Sequence, residues 1–105
     1  MLKLKEFREK RKLAKKIAKY EKEAKKTYKI RPQSQYTLDK YRIVMYHEPG
    51  SPIFFKDGKY SDIGDSQYLT LEEAKYRLEE IRLDYIKTKL ENDEYWKRVA
   101  ELNKL

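Results

Sequence analysis

Residues 37–47 have the sequence TLDKYRIVMYH, and this stretch decides the fold class. Tyr41, Ile43 and Met45 fall on one side of an extended chain, and the residues between them fall on the other side. Alternation with a period of two is typical of a β-strand that has one face against a core. We therefore expect a strand here, and the flanking residues decide what kind of sheet it joins.

Two turn signals follow this strand. Pro49-Gly50 is the first, Asp57-Gly58 is the second, and residues 52–56 between them are apolar and aromatic. Asp-Gly joining two strand-like segments is a strong hairpin signal, because these residues accept the positive φ angles of a tight turn. We expect a three-stranded antiparallel meander formed by residues 37–47, 52–56 and 59–63.

A C-terminal helix is expected after the sheet. Thr70 and Glu73 have the spacing of a capping box, which predicts that a helix begins at Leu71. Two apolar stripes follow at helical spacing, which indicates two packing partners. Asn92-Asp93 leaves two alternatives open: either the helix breaks there, or it continues unbroken over residues 71–104.

Residues 2–30 contain no Gly or Pro and are rich in Ala, Leu, Lys, Arg and Glu, so they predict a long helix. Arg31-Pro32 would end this helix, because proline disfavours the helical conformation of the residue before it. The predicted fold class is α+β, with a helix, three strands and a helix in that order. We expect residues 1–31 to form a basic amphipathic helix and residues 32–105 a small α+β domain, together one compact unit.

The composition of the 105 residues excludes several classes of protein. The chain has no cysteine and a single histidine, His47, which rules out disulfide scaffolds, cysteine-ligated metal sites and multi-histidine metal sites. We expect no metal and no cofactor. No stretch approaches the roughly 20 apolar residues of a membrane span. A lysine-rich amphipathic helix can also lie on an anionic bilayer, but Leu4 and Phe7 point away from the main apolar stripe, so we expect no membrane partner. Because the chain has no cysteine, we expect a reducing compartment and therefore a cytoplasmic location, in a bacterium or a phage-infected host cell.

The charge is concentrated at one end of the chain. The whole chain has 26 basic and 18 acidic residues, a net charge of +8, whereas residues 1–31 contain 14 basic and 4 acidic residues, a net charge of +10. The remaining residues therefore have a net charge of −2. Such asymmetry is typical of proteins that bind nucleic acid or another polyanion.

Basic residues recur along one side of the first predicted helix at alternating steps of four and three. We call this set the basic ridge; its members are Arg8, Lys12, Lys15, Lys19, Lys22, Lys26 and Lys29, and it is flanked by Arg11, Lys16 and Lys25. Spaced cations can replace several counterions on a phosphate backbone at once. The basic ridge therefore predicts binding to DNA or RNA, or to a nucleoprotein complex. The competing interpretation is a solvated helix face that only keeps the protein soluble.

We expect no enzymatic activity. The chain has no Gly-rich phosphate loop, no nucleophile elbow and no cysteine nucleophile. The enzymatic alternative is a metal-dependent nuclease that uses His47, Asp57, Asp62 and Asp65, because Asp57-Gly58-Lys59 resembles a carboxylate-x-lysine element. The hairpin turn explains Asp57-Gly58 equally well.

Aromatic residues provide two further sets of candidates. Tyrosines expected to face solvent can stack on unpaired bases, or they can fill the rim of the core; they are Tyr36, Tyr46, Tyr60 and Tyr68. On the C-terminal helix, the candidate contacts for a protein partner are Tyr76, Leu83, Tyr95 and Trp96, and packing within the chain is the competing interpretation. The alternative function is therefore a protein that docks on an acidic protein surface and inhibits a host nucleoprotein machine.

The meander followed by a helix, over residues 36–90, resembles the arrangement in arm-type DNA-binding domains of phage integrases. This resemblance implies contact with DNA, and it assigns no individual residues. The small size and the high Lys and Tyr content also resemble those of phage accessory proteins, including anti-CRISPR proteins. That second resemblance implies a phage or mobile-element origin and, for the alternative function, a Cas effector as the target.

Overall fold

A computed structural model of the chain describes residues 2–49 and 59–105. Along the chain, one helix precedes three strands and a second helix follows them, which confirms the α+β prediction. The elements are α1 (Leu2–Thr27), β1 (Tyr28–Pro32), β2 (Tyr41–His47), β3 (Lys59–Asp62) and α2 (Leu71–Leu102).

The three strands form an antiparallel sheet in the order β1-β2-β3, so the sheet is a three-stranded meander, as expected. The pairing differs from the expected one, because the expected first strand, β2, pairs directly with the expected third, β3. Ile30 lies opposite Ile43, and Tyr46 lies opposite Tyr60. Because side chains alternate along a strand, Tyr28 and Ile43 share one face. Tyr28 packs edge-on against Tyr85 of α2, with ring centroids 5.9 Å apart, so this face is turned toward the helices.

The first strand is not where the sequence predicts it. We expect a helix to about Ile30, but α1 ends at Thr27 and the next five residues form β1. The reason is tertiary: β1 pairs with β2 along its whole length, and Arg82 of α2 donates hydrogen bonds to the carbonyl oxygens of Lys25 and Tyr28. The expected strand at residues 52–56, with the turn at Asp57-Gly58, lies outside the described residues.

Pro32 has a different role from the one expected of it. It is the last residue of β1, which is an edge strand of the sheet, so its missing N–H group costs little there. The boundary between helix and sheet therefore lies between Thr27 and Tyr28. The division into residues 1–31 and 32–105 stays a prediction, with the qualification that β1 belongs to the sheet.

Both hydrogen bonds of the capping box are present at the start of α2. The Thr70 hydroxyl accepts a hydrogen bond from the Glu73 backbone N–H, and the Glu73 carboxylate accepts one from the Thr70 backbone N–H. α2 then continues without a break through Asn92-Asp93, so the continuous alternative is the observed one. Asp93 is held in place because it accepts a hydrogen bond from the Tyr20 hydroxyl of α1.

The core is small and lies where α1, α2 and β2 meet. Its buried apolar residues among those described are Tyr20, Ala24, Ile43, Ala74 and Ile86, whereas Val44 is buried on the other face of the sheet. The two helices run antiparallel, because Glu23 of α1 meets Tyr85 and Lys16 meets Asp93 further along α2. Ala24 is fully buried, so the small side chain allows the two helices to approach closely at this point.

Candidate nucleic-acid interface

The basic ridge lies on the solvent side of α1. Its six helical members are all exposed, whereas Tyr20 and Ala24 on the other side of the helix are buried; these six are Arg8, Lys12, Lys15, Lys19, Lys22 and Lys26. From Arg8 to Lys26 they extend about 27 Å at the helical rise of about 1.5 Å per residue. Helical spacing and burial together therefore direct one continuous row of cations away from the core.

Lys29, the seventh member of the basic ridge, is not on the helix. It lies in β1 opposite Val44, and its side chain is exposed. The prediction that placed Lys29 on the helix is wrong because α1 ends two residues before it. The Lys29 ammonium lies 5.9 Å from the centre of the Tyr60 ring, so this cation belongs to the sheet surface.

Most of the helical cations have no acidic partner among the described residues. Lys26 pairs with Glu48 at 3.2 Å, and both side chains are about two-thirds exposed. Within residues 2–49 and 59–105, no carboxylate oxygen lies within 4.0 Å of the cationic groups of the five members that precede Lys26. Because an exposed ion pair contributes only about 0 to 1 kcal/mol, a polyanion can displace Glu48 from Lys26 at small cost.

The first part of the basic ridge borders a surface depression. Arg8, Arg11, Lys12 and Lys15 surround a depression of about 250 Å³. The Arg11 guanidinium lies 5.7 Å from the centre of the Phe7 ring, so a cation–π contact with the residue one turn earlier holds the Arg11 side chain beside the basic ridge. The walls of this depression are apolar, so they are formed by the aliphatic parts of these four side chains and not by their charged groups.

Two tyrosine hydroxyls fix the rotation of α1 on α2. The Tyr20 hydroxyl donates to the Asp93 carboxylate, and this bond together with burial raises the pKa of Tyr20 to about 12. Burial, assisted by the hydrogen bond that its hydroxyl donates to Glu23 at 3.1 Å, also raises the pKa of Tyr85 to about 12. Both tyrosines are therefore neutral donors at physiological pH, and they tie α1 to α2 through Tyr20 on the buried side of the helix and through Glu23 beside the basic ridge, one turn after Lys19.

A second surface lies on the sheet, and sequence reasoning did not assemble it. We call it the outer sheet face; its residues are Lys29, Arg31, Arg42, Val44, Tyr46, Tyr60 and Asp62. The Arg31 guanidinium lies 4.1 Å from the centre of the Tyr60 ring, and the rings of Tyr46 and Tyr60 are 5.1 Å apart. The alternation of Tyr28 and Ile30 with Lys29 and Arg31 is the signal that could have revealed the strand.

The four tyrosines expected to face solvent divide into two pairs. Tyr36 and Tyr68 are exposed, as expected, and both lie in loops. Tyr46 and Tyr60 are half-buried because they pack on each other across β2 and β3. Val44 on the same face of the sheet is only 2% exposed. The sheet pair therefore combines a structural contact with a partly accessible aromatic surface.

The candidate residues for a protein partner are exposed but do not form one patch. Tyr76 is 70% exposed, and Leu83, Tyr95 and Trp96 are each 59% exposed. Tyr95 and Trp96 contact each other edge-on, with ring centroids 5.3 Å apart. Tyr76 lies 19 residues before Tyr95, about 28 Å along the helix. The structure thus brings Tyr95 and Trp96 together and leaves Tyr76 and Leu83 in a separate region of α2.

The residues proposed for metal-dependent chemistry are dispersed. His47 Nε2 lies 2.6 Å from the Ser61 hydroxyl, Asp62 pairs with Arg42 at 2.8 Å, and Asp65 pairs with Arg77 at 2.9 Å. Across the described segments, no group of three or more His, Asp or Glu side chains is arranged to hold a metal ion. Asp57 lies outside the described residues.

Neither helix, over the residues that the structure covers, includes a segment with the length and hydrophobicity needed to cross a bilayer.

The chain matches no protein-family model, no curated protein and no solved structure. The geometry of the molecule itself therefore carries the functional argument.

Proposed function

We propose that this protein binds nucleic acid, alone or within a nucleoprotein complex, by placing the basic ridge along the phosphate backbone. The observation that carries this proposal is the exposed row of cations on α1, from Arg8 to Lys22, without a carboxylate partner among the described residues. These five cations extend over about 21 Å of helix. A DNA duplex presents one negative charge per about 1.7 Å, so every cation in the row can reach a phosphate.

The charge distribution supports the same function. The +10 charge of residues 1–31 is on the segment that carries the basic ridge, and the remainder of the chain is slightly acidic. Such a charge distribution orients the protein toward a polyanion before contact and raises the rate of association. A ridge made mainly of lysine contacts phosphates as point charges, and we therefore propose binding that depends little on base sequence.

The test compares two triple variants with the same change in charge. Lys15, Lys19 and Lys22 are replaced by Ala in the first variant, and the matched control replaces Lys75, Lys87 and Lys104 of the C-terminal half of the chain. Alanine favours helix at the exposed sites within α1 and α2, so neither variant should lose its fold. We expect the first variant to bind a labelled duplex or single strand roughly tenfold to hundredfold more weakly, and the control to bind like the wild type. Equal loss in both variants would reduce the proposal to a net-charge effect.

Exposure of Tyr95 and Trp96 favours a second candidate function. We propose, as the alternative, a phage-encoded or mobile-element protein that docks on a host nucleoprotein machine, such as a Cas effector, and inhibits it. Large aromatic side chains are enriched among the residues that dominate protein interfaces, and these two are in contact on one turn of α2. Pull-down from a nuclease-treated lysate separates the two functions. Loss of a captured protein on replacing Tyr95 and Trp96 by Ala supports inhibition, whereas recovery of nucleic acid alone from untreated lysate supports direct binding.

A further inference from the structure

We infer that the bound nucleic acid is single-stranded and that its bases stack on the outer sheet face, at Arg31 and Tyr60. This inference rests on the proposed function, because the same strand must have its phosphates on the basic ridge. It adds the strandedness of the ligand and a second contact surface on a different element of the fold.

The sheet register places the two residues on the side away from the helices. Tyr28 of β1 packs on Tyr85 of α2, so Arg31, at an odd number of residues from Tyr28, projects from the opposite side of the sheet. Tyr60 of β3 is on this side as well, because its ring lies 4.1 Å from the Arg31 guanidinium. Two strands that are not neighbours in the sheet therefore contribute to one aromatic and cationic surface.

The chemistry of this surface matches an unpaired base. Bases of single strands stack on aromatic rings and on the planes of arginine guanidinium groups, with little dependence on sequence. Arg31 is exposed, and its planar group covers the Tyr60 ring, so a base can stack on the guanidinium or replace it on the ring. In a duplex the faces of the bases are covered by their neighbours, so the bases cannot stack on protein side chains.

The charges on the outer sheet face leave its cations open to phosphate. Asp62 is the acidic residue on this face, and it pairs with Arg42 at 2.8 Å. Among the described residues, no carboxylate lies within 4.0 Å of the cationic groups of Lys29 or Arg31. The face therefore offers two cations beside the rings, which is the combination of backbone attraction and stacking that single-strand binding surfaces use.

The two surfaces meet at one corner of the molecule. Lys26 is in the last turn of α1, and Lys29 follows three residues later in β1. Glu48, which pairs with Lys26, comes directly after the end of β2, the strand that pairs with β1. A strand lying along α1 can therefore continue past Lys26 and Lys29 onto Arg31 and Tyr60 without crossing the core.

The test uses two single strands with equal numbers of phosphates. The first is an oligothymidylate longer than the site sizes of about 4 to 16 nucleotides that are common for single-strand binders, and the second is an abasic strand of the same length. We expect the wild-type protein to bind the oligothymidylate about tenfold more tightly than the abasic strand. Tyr60→Leu, which keeps an apolar side chain on the sheet face where Val44 is buried, and Arg31→Ala should remove this preference, and Tyr60→Phe should retain it. Thermal melting of each variant, followed by circular dichroism, measures whether the fold is kept.

The outcomes separate this inference from the proposed function. Equal affinity of the wild type for the two strands, or tighter binding to a duplex, overturns the stacking inference and leaves the basic ridge as a phosphate site. An equal loss on both strands for Tyr60→Leu assigns Tyr60 a structural role and also overturns the inference. Failure to bind either strand or a duplex overturns the proposed function itself.

Discussion

Two hydroxyl groups decide which side of α1 faces the solvent. Tyr20 and Tyr85 each donate a hydrogen bond to a carboxylate on the other helix. A hydrogen bond to a charged group contributes roughly 1.5 to 3 kcal/mol, and its loss also leaves a partner without its donor. At the scale of single residues, the orientation of the basic ridge is therefore set by polar contacts at Tyr20, on the buried side of the helix, and at Glu23, beside the ridge.

Replacing Tyr20 by Phe should make the protein less stable and less sensitive to alkali. The folded-state pKa of about 12 lies above the ordinary value of 10.0, so this tyrosine stabilises the fold fully below about pH 10. That contribution is lost progressively as the pH rises from about 10 to about 12. We expect Tyr20→Phe to lower the free energy of unfolding by roughly 1.5 to 3 kcal/mol at pH 7.

Urea unfolding at pH 7 and at several values between pH 10 and pH 12 measures this prediction. The wild type should lose more stability across the alkaline range than Tyr20→Phe does. Tyr36→Phe is the matched control, because Tyr36 is 85% exposed, and it should behave like the wild type. Parallel pH profiles for the wild type and Tyr20→Phe would contradict the assigned hydrogen bond.

At the scale of the elements, the beginning of α2 depends on a local signal. In the capping box, the Thr70 hydroxyl accepts a hydrogen bond from the Glu73 N–H, and the Glu73 carboxylate accepts one from the Thr70 N–H. Replacing Thr70 by Ala should lower the free energy of unfolding by about 1 kcal/mol, because the N–H of Glu73 loses its acceptor. Thr88→Ala makes the same chemical change at an exposed site within α2 and should have little effect, or a slightly favourable one. Similar losses in both variants, measured by chemical denaturation, would contradict the cap.

The contact between α1 and α2 depends on a small side chain. Ala24 is fully buried, so Ala24→Leu should separate the helices and lower the free energy of unfolding by about 1 to 3 kcal/mol. Ala18 is exposed on the same helix, and Ala18→Leu should leave the stability within about 0.5 kcal/mol of the wild type. If the two leucine variants melted at the same temperature, the described helix packing would be wrong.

The elements also show which features a sequence can predict. The capping box of α2 and the helical members of the basic ridge depend on short-range spacing, and both are where the sequence placed them. The end of α1 depends on pairing with β2 and on Arg82, which lies 54 residues after Tyr28 in the chain. Local propensity favoured more helix there, and for this reason β1 and the position of Lys29 were missed.

The outer sheet face was missed for a related reason. Its central contact joins Arg31 of β1 to Tyr60 of β3, and this contact exists only because β2 pairs with both strands. The spacing of these residues in the sequence contains no periodic signal that would connect them. The hydrogen bond from the Tyr20 hydroxyl to Asp93 is a second long-range contact that local spacing does not predict.

At the scale of the whole molecule, charge and shape act together. The described residues extend over 61 × 33 × 20 Å, and α1 presents the basic ridge along much of its length. Deleting residues 1–31 would remove β1 almost entirely, together with the buried Tyr20 and Ala24, so such a truncation would remove structure as well as charge. Substitutions at exposed lysines are therefore the appropriate way to test the central claim.

The most direct measurement is the salt dependence of nucleic-acid affinity for the wild type and for the variant with Ala at Lys15, Lys19 and Lys22. With the five cations from Arg8 to Lys22 on phosphates, a plot of log affinity against log salt should have a slope of about −4 to −5 on duplex DNA and about −3 to −4 on a single strand. Three fewer contacts should make the slope shallower by about 2 to 3. A slope near zero for the wild type, or an unchanged slope in the variant, would contradict the assignment of the basic ridge as the phosphate-binding surface.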